Sequence, residues 1–209
     1  MSETLISDIK LTKKGNFALF CEEGFLFSLN AETIEREGIS VGDILSEQRL
    51  EELRETSDFQ KAKNKALNYL SLRAHSEGEL ITKLKRSFDE HTAAKVVERL
   101  KQSGLTDDGD FASRYAAELI EKKGASLRAA REKLRERGID RCLIEKTLAG
   151  YESGEQVRLQ VLIEKKYSDK LGSREGISSL YSSLLRRGFA SESIRAALEA
   201  LAENSLRED

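Results

Sequence analysis

Proline is absent from all 209 residues of this chain, and tryptophan is absent as well. An average composition would supply roughly ten prolines in a chain of this length. Proline interrupts helices, whereas the abundant Glu, Lys, Arg, Leu and Ala of this chain are good helix formers. Aromatic residues make up only 6% of the sequence, against 34% for charged residues. The composition therefore predicts a mainly helical protein.

The chain has little that would suit the cell exterior or a membrane. Its two cysteines, Cys21 and Cys142, lack the spacing of a metal site, so we expect buried free thiols in a reducing cytoplasm. The N-terminus has no basic region followed by an apolar run, which a secretory signal requires. No stretch approaches the roughly 18 consecutive apolar residues of a membrane span. We expect a cytoplasmic protein without a membrane segment.

Catalytic signatures are also missing. The sequence has no Gly-rich phosphate loop, no paired-histidine metal motif and no Gly-x-Ser-x-Gly elbow. We expect the two histidines, His75 and His91, to be solvated surface residues. The adjacent Asp107 and Asp108 are interpreted as a helix start, because carboxylates favour the positive end of the helix dipole. The sequence predicts no enzyme activity, no catalytic residue, no bound metal and no cofactor.

What the sequence does contain is a weak self-similarity with a step of 50 residues, beginning after about residue 60. Leu84, Leu134 and Leu184 fall at equal steps, and the segment Leu134–Ile139 matches Leu184–Phe189. A repeat of this length indicates one supersecondary unit that is used three times, each copy burying its apolar face partly against its neighbour. The repeat predicts an elongated molecule with a long surface.

The apolar periodicity predicts a mainly α fold in four parts. Three tandem three-helix modules form an elongated array, preceded by a small acidic unit of β-hairpin and helix. The small unit and the first, second and third modules are predicted at residues 1–58, 59–106, 107–152 and 153–209.

Local signals place the elements within these parts. The first part should contain two or three short antiparallel strands, a short helix stopped by Gly38, and a helix from about Glu47 to Thr56. In the first module, Ser76 and Glu79 have the spacing of a capping box at the start of the second helix. The third helix of that module is expected from about His91 to Gln102, where Gly104 ends it.

The net charge of −2 conceals a gradient along the chain. Residues 1–60 carry 6 basic and 13 acidic side chains, a net charge of −7, whereas residues 61–106 carry 10 and 5, a net charge of +5. Such an asymmetry suggests a charged partner for one face, and the partner of a basic face is often nucleic acid.

Positive charge recurs on the second helix of each module. If the modules stack, these side chains could line one groove that attracts a polyanion. The alternative is a solvated face with local ion pairs, for instance between Arg128 and Glu132. The residues concerned are Lys83, Lys85 and Arg86 in the first module, Arg128, Arg131, Lys133, Arg135 and Arg137 in the second, and Arg186 and Arg187 in the third.

Several segments together resemble the RecX family of bacterial recombination regulators. The resemblance lies in their order and spacing, and it covers about residues 60–200. The matching segments are Ala66-Leu67-x-x-Leu70-x-x-Arg73-x-x-Ser76-x-x-Glu79-Leu80, then Gly104-Leu-Thr-Asp107-Asp108-x-x-Phe111, the turn Leu134-x-x-x-Gly138-Ile139, and Leu184-Leu-Arg186-Arg187-Gly188-Phe189.

The resemblance implies a regulator that binds the RecA recombinase and its filament on single-stranded DNA. Such a protein would inhibit filament growth, ATP hydrolysis and strand exchange, and so limit recombination, DNA repair and the SOS response. It would act as a monomer and could also contact single- or double-stranded DNA. Arg73, which belongs to the matching segments, joins the basic residues above as a predicted contact.

Two other functions remain open at this point. The chain could be a free-standing helical DNA-binding protein that places a basic helix in a major groove. It could also be a protein scaffold whose charges are only solvated faces.

Overall fold

A computed structural model of the chain describes residues 3–208, with side chains as far as residue 203. The chain divides into two compact units. The first contains the described residues up to Ala74 together with Leu80–Leu105, and the second contains His75–Glu79 and the described residues from Thr106 onward.

The first unit begins with short antiparallel strands. β3 lies between β2 and β4 in a three-stranded sheet, and β1 pairs with β5 in a separate ribbon. The sequence predicted two or three strands, whereas the described residues contain five, because β1 and β5 have only three residues each and give no alternation to detect. The described strands are β1 (Glu3–Leu5), β2 (Asp8–Leu11), β3 (Phe17–Cys21), β4 (Gly24–Leu29) and β5 (Ile44–Ser46).

Two helices follow the strands, and one of them differs from the prediction. Helix α1 (Ala31–Glu37) ends at Gly38, whose φ of +64° suits glycine, as expected. Helix α2 spans Glu47–Leu72, so the predicted end at Thr56 was wrong. The predicted boundary between residues 58 and 59 thus falls inside a continuous helix, and the division into those two parts stays a prediction.

Burial explains why α2 continues past the predicted boundary. Leu53 packs with the strands in one core, and Ala62 and Ala66 pack in a second core farther along the same helix. Between them Ser57, which is 1% exposed, donates its hydroxyl to the Ser28 carbonyl at 2.7 Å. The segment around the predicted boundary is therefore held on both sides by tertiary contacts.

The second core is completed by α3 (Glu77–Leu84) and α4 (Glu90–Gln102). Helix α4 lies within one residue of its predicted range, and Asp89 caps it by accepting the Thr92 N–H at 2.9 Å. Lys85 and Arg86 follow α3 in a turn, so their predicted place on the helix was wrong. The buried residues of this core are Ala62, Ala66, Leu80, Leu84, Ala93, Val96, Val97 and Leu100.

The second unit contains six α-helices among its described residues: α5 (Asp108–Ala117), α6 (Leu127–Glu136), α7 (Arg141–Ala149), α8 (Glu155–Tyr167), α9 (Arg174–Arg186) and α10 (Ser191–Glu208). Helix α5 continues into one π-helical turn, Glu118–Lys122. Asp107 caps α5 by accepting the N–H groups of Gly109 and Asp110 at 2.8 and 3.0 Å, which confirms the predicted helix start. Helices α5 to α7 share one core and α8 to α10 share another.

Two residues differ from their predicted environments. His75 was predicted to be solvated, but it is only 4% exposed because it belongs to the short segment that packs within the second unit. His91 is exposed, as expected. Cys142 was predicted to be buried, yet it lies exposed in the first turn of α7; Cys21 is half-buried, and both thiols are free.

Over residues 3–208, no helix is both long and apolar enough to cross a membrane. Among the side chains described, those of residues 3–203, no three His, Cys, Asp or Glu are grouped so that they could hold a metal ion.

Candidate functional site

Two serines 50 residues apart occupy equivalent sites in the second unit. Ser76 precedes α3, and its Oγ accepts the Glu79 N–H at 3.1 Å. Ser126 precedes α6, and its Oγ accepts the Ala129 N–H at 3.1 Å. This confirms the serine half of the predicted capping box. Ser76 and Ser126 are 0% and 1% exposed, so their hydroxyl protons must find partners within the protein.

Each hydroxyl donates to the backbone of an arginine that lies 61 residues farther along the chain. Ser76 donates to the Arg137 carbonyl, and Ser126 donates to the Arg187 carbonyl at 3.0 Å. These arginines are the C-caps of α6 and α9, where carbonyls have no partner within their own helix. At each junction, one serine hydroxyl thus accepts a backbone N–H at the start of one helix and donates to a backbone carbonyl at the end of another.

The arginine side chains strengthen the same junctions. The Arg137 guanidinium forms an ion pair with Glu79 and lies 5.1 Å from the centre of the Tyr115 ring. The Arg187 guanidinium donates to the Lys123 carbonyl at 3.0 Å and lies 5.9 Å from the Tyr167 ring centre. Both distances to the rings are within the range of cation–π attraction, about 6 Å.

A carboxylate at the first residue of α5 or α8 closes each junction. Asp108 accepts the Glu77 N–H at 2.8 Å, and Glu155 accepts the Leu127 N–H at 2.7 Å. Glu77 and Leu127 are the first residues of α3 and α6, where backbone N–H groups and the helix dipole favour a negative charge. The two junctions therefore share a cap, a carbonyl contact and an acidic partner.

Glycine makes the close approach at these junctions possible. A Cβ on Gly78 would lie only 2.8 Å from the Cα of Gly138, and a Cβ on Gly188 would lie 2.7 Å from the Ser126 Oγ. Gly138 and Gly188 also have φ values of +75° and +86°, which other residues rarely adopt. Sequence reasoning found these glycines as repeated turns but did not reveal that they contact a second helix.

The predicted basic residues differ in whether their side chains form ion pairs, make other contacts within the fold, or do neither. Four of them pair with nearby carboxylates: Lys85 with Glu90 at 2.9 Å, Lys133 with Glu136 at 2.7 Å, Arg135 with Glu132 at 2.7 Å, and Arg131 with both oxygens of Glu145 at 2.8 and 2.9 Å. The specific pair predicted between Arg128 and Glu132 was wrong, since Glu132 binds Arg135 instead. The hydrogen bond from Arg131 lowers the pKa of Glu145, and that from Arg135 lowers the pKa of Glu132.

Four more of the predicted residues make contacts within the fold. Arg137 and Arg187 hold the junctions, Arg73 donates to the Ala74 carbonyl at 2.8 Å, and Lys83 lies 4.7 Å from the Tyr69 ring centre. The remaining three, Arg86, Arg128 and Arg186, are exposed and form no side-chain hydrogen bond or ion pair with any residue the structure describes.

Comparison with known proteins places the chain among regulators. A family model described as the first three-helix domain of RecX matches residues 62–100, and one described as the second matches residues 107–148. A "Regulatory protein RecX" from Prosthecochloris aestuarii is 36% identical over 149 residues, which cover 71% of this chain and 98% of that protein. One from Bacillus velezensis is 30% identical over 200 residues, which cover 93% of this chain and 76% of that protein.

Solved structures share the fold. A crystal structure of regulatory protein RecX matches 94% of this chain and 99% of its own, with a TM-score of 0.66 and 21% identity. RecX from Lactobacillus salivarius matches 69% of this chain and 97% of its own, with a TM-score of 0.59 and 24% identity. The domain models and the relatives together show that this chain belongs to the RecX family of regulatory proteins.

Proposed function

We propose that this chain is a non-catalytic regulator that binds the RecA recombinase and its filament on single-stranded DNA. It restrains filament growth, and with it ATP hydrolysis and strand exchange during recombination and DNA repair. It acts as a monomer in the cytoplasm. Membership in the RecX family supports a regulatory role, and the resemblance described above supplies RecA as the partner.

One observation carries the choice of contact residues. Arg86, Arg128 and Arg186 come one from each predicted module, and each is exposed and forms no ion pair with a side chain that the structure describes. An unpaired guanidinium can donate two parallel hydrogen bonds to a phosphate or a carboxylate, without first breaking an internal ion pair. Three such contacts on one chain reinforce one another even when each is weak.

The junction arginines have a different role in this proposal. Arg137 and Arg187 are half-buried and already engaged, so their loss would act through the fold of the second unit rather than through contact with a partner. The paired residues Arg131 and Arg135 are intermediate cases, because their charge is shared with Glu145 and Glu132.

The test is the single-strand-dependent ATP hydrolysis of RecA from the same organism, titrated with this chain at substoichiometric ratios. The triple variant Arg86→Glu, Arg128→Glu, Arg186→Glu should raise the half-inhibitory concentration at least about tenfold. Loss of charge-assisted contacts worth about 1.4 kcal/mol in total would produce that change. Helicity, measured by circular dichroism, should remain that of the wild type.

A matched control carries the same change of charge elsewhere. Lys13→Glu, Lys14→Glu and Lys146→Glu alter three exposed lysines that are absent from the predicted contacts. This control should inhibit RecA as the wild type does. Unchanged inhibition by the arginine variant, or an equal loss in the lysine control, would refute the assignment of these three arginines.

The same exposed arginines also support a second candidate, binding to naked DNA without RecA. Fluorescence anisotropy with duplex and single-stranded oligonucleotides distinguishes the two. A DNA-binding protein should bind without RecA, with an affinity that falls steeply as salt rises. A pure scaffold would show neither this binding nor a salt-sensitive association with RecA filaments.

A further inference from the structure

A groove of about 370 Å³ lies within the second unit. Of the predicted contact residues, Arg187 borders it, because its guanidinium donates to the Lys123 carbonyl beside the lining residue Gly124. The π-helical turn Glu118–Lys122 forms one wall and α8 forms the other. Ile120, Leu162 and Phe189 provide apolar surface at its base, and each is no more than 9% exposed.

The first wall has an uncommon backbone conformation, a single π-helical turn. The Lys123 N–H donates to the Glu118 carbonyl, five residues back, at 3.1 Å. Gly124 then ends the turn with a φ of +65°, and a Cβ there would lie 2.8 Å from the Leu162 side chain. Single π-helical turns are rare and occur frequently at functional sites. Here the turn lies directly against α8.

The other wall exposes apolar side chains. Val157 and Val161 are 61% and 38% exposed, and they lie one turn apart on the same face of α8. β-Branched residues have a slightly lower helix propensity than unbranched ones, so the two exposed valines do not stabilise α8 itself. Covering them would remove apolar surface from water, which favours binding.

Positive charge borders the same groove. The side chains of Lys122, Lys165 and Lys166 are exposed, and none of them forms a hydrogen bond or ion pair with a described residue. The two carboxylates of the lining are engaged elsewhere, since Glu121 accepts the Tyr151 hydroxyl at 3.1 Å and Glu155 accepts a backbone N–H at the start of α6. Lys123 lowers the pKa of Glu118 through a hydrogen bond, and the charge of Lys122 adds to this effect, so Lys122 is partly balanced within the fold. Lys165 and Lys166 have no charged partner among the described residues.

We propose that this groove binds an acidic amphipathic helix from a protein partner. Apolar side chains one turn apart on that helix would cover Val157 and Val161, and its flanking carboxylates would meet Lys122, Lys165 and Lys166. From Val157 to Lys166, α8 extends about 14 Å, enough to support roughly nine residues of a docked helix. Helix-in-groove recognition uses anchors at this spacing.

The chemistry of the groove disfavours the other occupants. A single-stranded nucleic acid site would offer aromatic side chains for base stacking, whereas the exposed apolar residues here are valines. A second copy of this chain that presented the same groove would bring lysines opposite lysines, which costs affinity. The proposal does not depend on the partner being RecA.

The test uses the full chain and a designed probe. A fluorescein-labelled 15-residue peptide with leucines at helical spacing and glutamates elsewhere is titrated by anisotropy, beside a peptide in which every glutamate is lysine. The acidic peptide should bind saturably, and its affinity should fall as salt rises. Amide shifts in ¹H–¹⁵N spectra should centre on Val157, Val161 and Lys165.

Variants then locate the binding. Lys165→Glu with Lys166→Glu should weaken the acidic peptide at least about tenfold, whereas Lys146→Glu, on the exposed side of α7, should leave it unchanged. Val161→Ser should weaken binding in the same way. Absence of saturable binding at millimolar peptide, equal binding of the lysine peptide, or shifts centred elsewhere would overturn the proposal. Dimerisation that Val161→Ser abolishes would assign the groove to a second copy, and competition by oligonucleotides would assign it to nucleic acid.

Discussion

Replacing Ser126 with alanine tests the junction that repeats in the second unit. The substitution keeps the Cβ and removes only the hydroxyl, so it introduces no clash. It takes away the acceptor of the Ala129 N–H and the donor to the Arg187 carbonyl, two contacts of 3.1 and 3.0 Å. Because Ser126 is 1% exposed, water has little access to the groups left behind.

The two losses can be sized separately. Removal of an N-cap side chain costs about 1 kcal/mol. A polar group left unsatisfied away from water costs about 1–3 kcal/mol more. Ser126→Ala should therefore reduce the free energy of unfolding by about 2–4 kcal/mol.

Ser173 provides the matched control for this experiment. It caps α9 by accepting the Gly176 N–H at 3.0 Å, but it is exposed, and its hydroxyl donates to no carbonyl among the described residues. Ser173→Ala should cost only the capping contribution, about 1 kcal/mol. Urea denaturation followed by circular dichroism gives both values, and native-state hydrogen exchange at the Ala129 amide reports the junction locally.

The comparison between the two variants decides the outcome. If Ser126→Ala is no more destabilising than Ser173→Ala, the carbonyl contact contributes nothing and the junction argument fails. Normal exchange protection of the Ala129 amide in Ser126→Ala would refute it equally.

Two further predictions follow from the same unit. Gly78→Ala should lower the free energy of unfolding, because the new Cβ would lie 2.8 Å from the Gly138 backbone. This clash should outweigh the helix propensity of alanine, which exceeds that of glycine by about 1 kcal/mol. Gly150→Ala is the control: a Cβ there meets open space, so the same urea titration should find it neutral or stabilising. Glu145→Gln tests the ion pair with Arg131, whose hydrogen bond lowers the folded-state pKa of Glu145 below its usual 4.5. A lowered carboxyl pKa stabilises the fold above the unfolded-state value, so the difference in unfolding free energy between wild type and Glu145→Gln should be constant at neutral pH and shrink as the pH falls below 4.5. A difference that grows in acid would contradict this sign.

The helices of the repeats could be predicted because their signals are local. Helix α4 was expected from about His91 to Gln102 and is observed at Glu90–Gln102. Its apolar residues recur at helical spacing, and Gly104 follows its end, so every clue lies within a few residues of the feature it predicts. The repeat of 50 residues then transferred the same pattern to the later modules.

Errors arose where a distant contact overrides local signals. The sequence predicted a helix end at about Thr56, but the burial of Ser57 against the Ser28 carbonyl keeps α2 continuous. His75 was predicted to be a surface residue because it flanks a charged helix, yet it is 4% exposed within the second unit. Neither outcome can be inferred from the residues immediately around it.

The amino-acid sequence by itself determined the helical class, the three-fold repeat and the resemblance to RecX, because periodicity, caps and turn glycines act over single turns of the chain. Only the tertiary structure decided which arginines remain available to a partner. Arg137 and Arg187 are held at junctions by serines 61 residues away, whereas Arg128 and Arg186 stay exposed. The physical reason is that the residue type alone sets the charge of an arginine, whereas folding brings its partners together from residues far apart in the chain.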